Sequence, residues 1–160
     1  MRVFLGTDHA GFELKEHLVS WLKENGHDAV DCGAFEYDAA DDYPPFVLRA
    51  AERTAAEPGT LGVVIGGSGN GEAIAANKVR GVRAALVWNE DTARLAREHN
   101  DANVISIGAR QHDLATATRF LELFVETPYS GEGRHTRRIT MLADYEKTGE
   151  LPPLPPGHTE

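Results

Sequence analysis

The sequence predicts an α/β protein, a Rossmann-like three-layer α/β/α sandwich around a five-stranded parallel sheet. Three observations carry this. Short apolar runs and helical patterns alternate five times along the chain. The runs are continuously apolar rather than alternating, as in strands buried on both faces of a parallel sheet. The length, 160 residues with 41% hydrophobic and 26% charged, suits one domain that buries roughly 70% of its unfolded surface. Right-handed crossovers then place helices on both faces.

The elements follow in order. "RVFLGTD" reads as a strand ending at Gly6. "GFELKEHLVSWLKENG" carries Phe12, Leu14, Leu18 and Leu22 at helical spacing and stops at Gly26. "HDAVDCG" is a second strand. An acidic loop ends at paired prolines, which open a helix through "FVLRAAERTAAEPG". "LGVVIGG" is a buried strand, and "EAIAANKV" a short helix closed by Gly81. "VRAALVWN" and "VISIGAR" are strands flanking the helix "EDTARLAREHN". "DLATATRFLELFVET" and "RRITMLADYEKTG" are the last helices. The domain is expected over residues 1–149. A proline-rich tail over 150–160, "LPPLPPGHTE" after Glu150, cannot join a helix or a sheet interior.

Composition excludes several roles. Net charge is −9 and no basic stripe runs along the chain, which argues against a nucleic-acid partner. No apolar run approaches the ~20 residues of a membrane span. The start, "MRVFLGTDHAG", turns polar too soon for a signal peptide. With a single cysteine, Cys32, no intrachain disulfide can form, and a cytoplasmic protein is expected.

Ligands of such sheets sit beyond the carboxyl ends of the strands. The first strand is followed there by Thr7, Asp8 and His9, and the third by "GGSGNGE", residues 66–72. Arg110 follows the fifth. His99 and Asn100 end a helix and need not reach that edge of the same subunit. The glycine loop is not a Walker loop: Glu72 and Ala73 stand where lysine and a hydroxyl residue are required. It fails the dinucleotide pattern at position 72 and the nucleophile elbow at Asn70. Four glycines in six residues (Gly66, Gly67, Gly69, Gly71) nevertheless imply backbone N–H groups free to face a ligand oxygen at a helix N-terminus.

Glu72 in a first helical turn has a plain explanation in the helix dipole, worth ~0.3–1 kcal/mol. Its functional reading is a general base beside an anion hole, the pairing that proton abstraction next to a carbonyl requires. Ser68 would add a hydrogen bond. "GRHTRR", residues 133–138, holds Arg134, His135 and Arg138. Arg134 and Arg138 share a helix face with Leu142, so they are expected on the packed side, where a phosphate is the natural partner. Seven histidines form no H-x-x-x-H or H-E-x-x-H pair, so no metal is expected. His9 and His99 are the candidates for proton shuttling, and His17 and His27 read as surface residues.

Together "GTDHAGFELK", "GGSGNGEAIAANKVRGVRAAL", "REHNDANVISIGAR" and "GRHTRRI" resemble the type B ribose-5-phosphate isomerases, a family that also includes galactose-6-phosphate isomerase subunits. The resemblance runs from residue 2 to about 145. It implies a cofactor-free aldose–ketose isomerase acting on a small sugar phosphate, ribose 5-phosphate to ribulose 5-phosphate, through a cis-enediolate. Asp8 and His9 match residues that contact the sugar and its phosphate. Gly67, Ser68, Gly69, Asn70 and Gly71 match the anion-hole loop. His99, with Asn100, matches the residue that opens the furanose ring. Arg110, Arg134 and Arg138, with His135 beside them, match the phosphate ligands. The resemblance implies a homodimer with shared sites; a tetramer stays open. Many members carry a cysteine base where this chain has Gly66, while a second branch has glutamate at the position of Glu72. Isomerisation of allose or galactose 6-phosphate, a non-catalytic nucleotide- or phosphate-binding module, and an interaction protein using the proline tail are the rival readings.

Overall fold

The computed structural model describes all 160 residues. Five strands form one parallel sheet: β1 (Arg2–Thr7), β2 (Asp28–Asp31), β3 (Leu61–Gly66), β4 (Ala84–Val87) and β5 (Val104–Gly108). Six helices complete the fold: α1 (Phe12–Glu24), α2 (Pro44–Ala56), α3 (Asn70–Ala76), α4 (Glu90–Glu98), α5 (Leu114–Glu126) and α6 (Gly133–Thr148). The strand order is β2-β1-β3-β5-β4, and every pairing is parallel.

That order dictates the layers. The connections carrying α1 and α4 step one way across the sheet, and those carrying α2 and α3 step the other. With one crossover hand, the two sets fall on opposite faces. The core divides accordingly. Leu14, Leu18 and Leu22 of α1 join Ala93, Ala96 and Phe120 of α4 and α5 over Leu5, Ile65 and Ile107. Val47, Ala50 and Ala51 of α2 join Ala76 of α3 over Phe4 and Val64.

The central strands β1, β3 and β5 are buried on both faces, as their apolar runs require. The edge strands β2 and β4 are only half covered, because each has a neighbour on one side alone. His27 is likewise less exposed than its sequence position suggests. It stacks on Trp21 at 6.2 Å, and its Nδ1 is buried.

One deeply buried charge ties the β2 corner to α1. Lys15 is fully buried, and its Nζ donates to both Asp31 carboxylate oxygens, at 2.7 and 2.8 Å, and to the Ala34 carbonyl at 2.5 Å. No helix is long and apolar enough to cross a membrane. Beyond α6 the tail is exposed and carries no helix or strand.

The α6 helix departs from expectation. Arg134 and Arg138 are exposed rather than on a packed side, and Leu142 of the same stripe is 61% exposed. Among α6 residues only His135 is buried. The helical spacing put the stripe together, but this chain covers it only in part: Arg138 and Leu142 edge an open cavity against His99 and Asn100, and Arg134 faces away from it.

Candidate active site

The winding of the connections reverses between the parallel strands β1 and β3, whose outgoing connections leave toward opposite edges of the sheet. A crevice opens beyond their carboxyl ends, the usual ligand position of such sheets. Asp8 and His9 leave β1 there, and the glycine loop leaves β3.

Asp8 is buried, and its Oδ1 accepts from the Ala10 N–H at 3.0 Å, capping a single 3-10 turn over His9–Gly11. His9 donates its backbone N–H and its ring Nδ1 to Asp41 Oδ1, both at 2.8 Å. Asp8, His9 and Asp41 bring their ligand atoms within 4.8 Å of one another, the only cluster with metal-ligand spacing. The direct bond between His9 and Asp41 accounts for that closeness without an ion.

The glycines of the loop have separate steric reasons. Gly69 caps α3 in a left-handed conformation, φ +84°. A Cβ on Gly71 would fall 2.5 Å from Tyr43 Oη, so the tyrosine from the start of α2 packs on the bare backbone. A Cβ on Gly67 would fall 3.1 Å from an Arg110 guanidinium nitrogen, which places that side chain over the loop. The Arg110 N–H donates to the Gly67 carbonyl at 3.1 Å. The N–H groups of Gly67 and Ser68 find no acceptor in the chain, and Ser68 Oγ accepts from Asn70 N at 3.2 Å. Two free donors at a helix N-terminus are the anion-binding element that the glycine spacing suggested.

Glu72, in the first turn of α3, is 4% exposed. Burial pushes its carboxyl above the ordinary glutamate value. Its own N–H and that of Gly69 pull the other way, and the Asp8 charge adds to the rise. A Cβ on Gly66 would collide with the Glu72 carboxylate, so the acid occupies the space beside the bare end of β3. A buried carboxylate beside unpaired N–H donors can take a carbon-bound proton and leave the resulting oxyanion stabilised.

The remaining predicted residues lie elsewhere in this chain. His99 caps the far end of α4, just before β5, and so sits at the opposite edge of the sheet. Its ring stacks on His135 at 4.2 Å. His99, Asn100, His135 and Arg138 line a cavity of about 180 Å³ with Ile139 and Leu142. His135 is 7% exposed and its Nε2 has no partner; burial first, then the neighbouring His99 and Arg134 charges, push its pKa down. Arg134 pairs with Glu132 at 2.9 Å. Within one chain, then, Asp8, His9, residues 67–72 and Arg110 come together, and His99, Asn100, His135 and Arg138 form a second group.

Sequence reading missed Asp41 and Tyr43. Both lie in or beside the acidic loop before Pro44, and no spacing links Asp41 to His9, which precedes it by 32 residues. Cys32 is buried on the α2 side of the sheet, and burial pushes its thiol pKa up. A model described as ribose/galactose isomerase matches residues 3–142.

The chain belongs to the ribose/galactose isomerase family.

Within that family, ribose-5-phosphate isomerase B of Mycobacterium tuberculosis is 59% identical over 155 residues, covering 97% of this chain and 96% of the relative. The likeness therefore reaches into the tail. Ribose-5-phosphate isomerase B of Mycobacterium leprae is 57% identical over 155 residues, covering 97% of this chain and 96% of the relative. The crystal structure of ribose-5-phosphate isomerase B from Mycoplasma genitalium with bound ribulose 5-phosphate superposes with a TM-score of 0.89 at 39% identity, covering 92% of this chain and 97% of that one. Type B ribose 5-phosphate isomerase of Trypanosoma cruzi gives a TM-score of 0.88 at 42% identity, covering 93% and 98%.

Proposed function

We propose that this protein interconverts D-ribose 5-phosphate and D-ribulose 5-phosphate, with Glu72 as the base. The observation that carries the mechanism is the buried Glu72 carboxylate, seated against Gly66 beside the free N–H groups of Gly67 and Ser68. Glu72 takes the proton from C2 of the open-chain aldose and returns it to C1 of the cis-enediolate. The hydroxyl proton moves to the other oxygen, so no redox partner is needed. The loop N–H groups, helped by Ser68, hold the enediolate oxygen. One oxyanion donor contributes ~3–4 kcal/mol, and a placed base ~10²–10⁴-fold.

The second group of residues has a role only if another copy brings it to this edge. The exposed stripe of α6 and the exposed Phe35, Tyr37, Ile74 and Trp88 near the loops support a homodimer in which each site is shared. In that dimer, His99 of the partner subunit opens the furanose ring. Arg138 and Arg134 of the partner subunit, with Arg110 of this one, hold the phosphate. Residues 1–149 form the isomerase domain, and 150–160 lie outside the chemistry. With one cysteine and no need for an oxidising compartment, the enzyme works in the cytoplasm.

The family description names ribose and galactose, so six-carbon sugar phosphates are the second reading. A solvent-proton exchange assay over ribose, allose and galactose phosphates decides. Exchange and turnover highest with ribose 5-phosphate are expected. Turnover confined to a six-carbon phosphate would replace the substrate, and no exchange with any would overturn the activity.

A further inference from the structure

The loop between β2 and α2 carries Asp38, Asp41 and Asp42. Asp38 and Asp42 are exposed, whereas the Asp41 side chain is 12% exposed and turned to His9. A single oxygen, Oδ1, accepts both the backbone N–H and the ring Nδ1 of His9, each at 2.8 Å. A carboxylate can only accept, so Nδ1 carries a proton. The Tyr37 ring, from the same loop, packs edge-on against the imidazole at 6.4 Å. The ring is thereby held at its backbone, at one nitrogen and at its flank. Nε2 has no partner in the chain and is not sealed from solvent.

We propose that Asp41 is a positioning residue of the isomerase site, holding the His9 ring through its Nδ1–H so that Nε2–H points at the sugar phosphate. This rests on the isomerase reading above. A purely structural contact would not need a charge: an asparagine oxygen could accept the same two bonds. The carboxylate instead leaves Oδ2 buried without a partner, an unfavourable arrangement for a charged group. Its compensation is electrostatic. The groups facing the His9 ring are Asp41 and Tyr37 from the loop, Asp8 from the end of β1, and Arg110 from the end of β5. The Asp41 hydrogen bond is the largest influence and raises the imidazole pKa. Burial opposes it, Asp8 adds to it and Arg110 opposes it. Asp41 therefore favours an imidazolium whose Nε2–H donates to an anionic oxygen.

The test uses the full chain carrying Asp41→Ala or Asp41→Asn. Long-range proton–nitrogen spectra report the His9 ring nitrogens, and pH profiles of kcat and KM are taken with ribose 5-phosphate. In Asp41→Ala the Nδ1–H signature should give way to Nε2–H, the His9 titration should fall to lower pH, and kcat/KM should drop roughly ten-fold or more, the worth of one charge-assisted hydrogen bond. The loss should appear mainly in KM. Asp41→Asn keeps an acceptor, so it should keep the Nδ1–H signature while the titration stays low, and its KM should approach the unmodified value only at the lower pH at which the ring is charged. Unchanged His9 spectra, or altered spectra with kcat/KM at the unmodified level across pH, would overturn the role of Asp41. No turnover by the unmodified chain would overturn the isomerase reading instead, while the spectra still judge the hold on His9.

Discussion

The Glu72 carboxylate fills the space into which a side chain on Gly66 would project. Strand end and proposed base are therefore one steric unit: position 66 must be bare for the acid to sit where it does. Gly66→Ala should push the carboxylate out of its pocket and lower kcat by about 10²-fold, the worth of a placed base. KM should change little, because the residues proposed to hold the phosphate lie elsewhere. The same exclusion gives a physical reason why a cysteine at 66 and a glutamate at 72 would serve as alternatives rather than partners. Steady-state kinetics of Gly66→Ala check this, and an unimpaired kcat would show that the carboxylate can work from another position.

The acid limb of the pH profile should belong to Glu72. The base works only when ionised, and burial, the largest cause, holds its pKa above the ordinary value. Activity should therefore fall, as pH is lowered, at a pH above that of a free glutamate, ~4.3. The stability sign is opposite to that of a salt-bridged acid. A folded-state pKa raised above the unfolded one makes Glu72 cost stability as pH rises between the two, and the cost is complete above the folded value. Glu72→Gln should thus be no less stable than the unmodified chain at neutral pH, with a Tm equal or a few degrees higher, ~2–4 °C per kcal/mol at this size. Thermal melts at acid and neutral pH check the sign.

Site sharing predicts complementation between two inactive chains. Glu72→Gln lacks the proposed base, and His99→Asn lacks the proposed ring-opening group on the opposite sheet edge. Unfolded together and refolded, random pairing in a two-fold dimer rebuilds about a quarter of the sites. Activity should rise from background to about that fraction. A mixture no more active than its components would place both residues in one chain's site.

Lys15 should matter for folding rather than chemistry. It is fully buried and holds both Asp31 oxygens and the Ala34 carbonyl at the corner that leads into the Asp41 loop. Lys15→Ala leaves that carboxylate, itself 30% exposed, without its cation, a loss of about 1.5–3 kcal/mol, the worth of a hydrogen bond to a charged group. Denaturant unfolding measures it, and a change below ~1 kcal/mol would show that the loop end is held by other contacts.

The parallel sheet was legible because burial on both faces of β1, β3 and β5 leaves an unbroken apolar run. The strand order was not, since apolar runs carry no sign of which neighbour they pair with. Glu72 was legible as the residue that breaks a phosphate-loop pattern at a known helical turn. Its dependence on Gly66 was not, because that follows from where the α3 turn folds back onto β3. Asp41 is one acid among several in a polar loop, and only its two hydrogen bonds from His9 separate it from Asp38 and Asp42. The α6 stripe shows the limit in another way. Helical spacing grouped Arg134, Arg138 and Leu142 on one side, but no periodicity says which chain covers that side.

Glu72 is the group proposed to move the proton. Its most direct test is the exchange of the C2 proton of ribose 5-phosphate with deuterated solvent, followed by NMR for the unmodified chain and for Glu72→Gln. The account predicts steady exchange with the first. With the second, exchange should fall by about 10²–10⁴-fold while the fold and phosphate binding persist. Exchange by Glu72→Gln at the unmodified rate would contradict it.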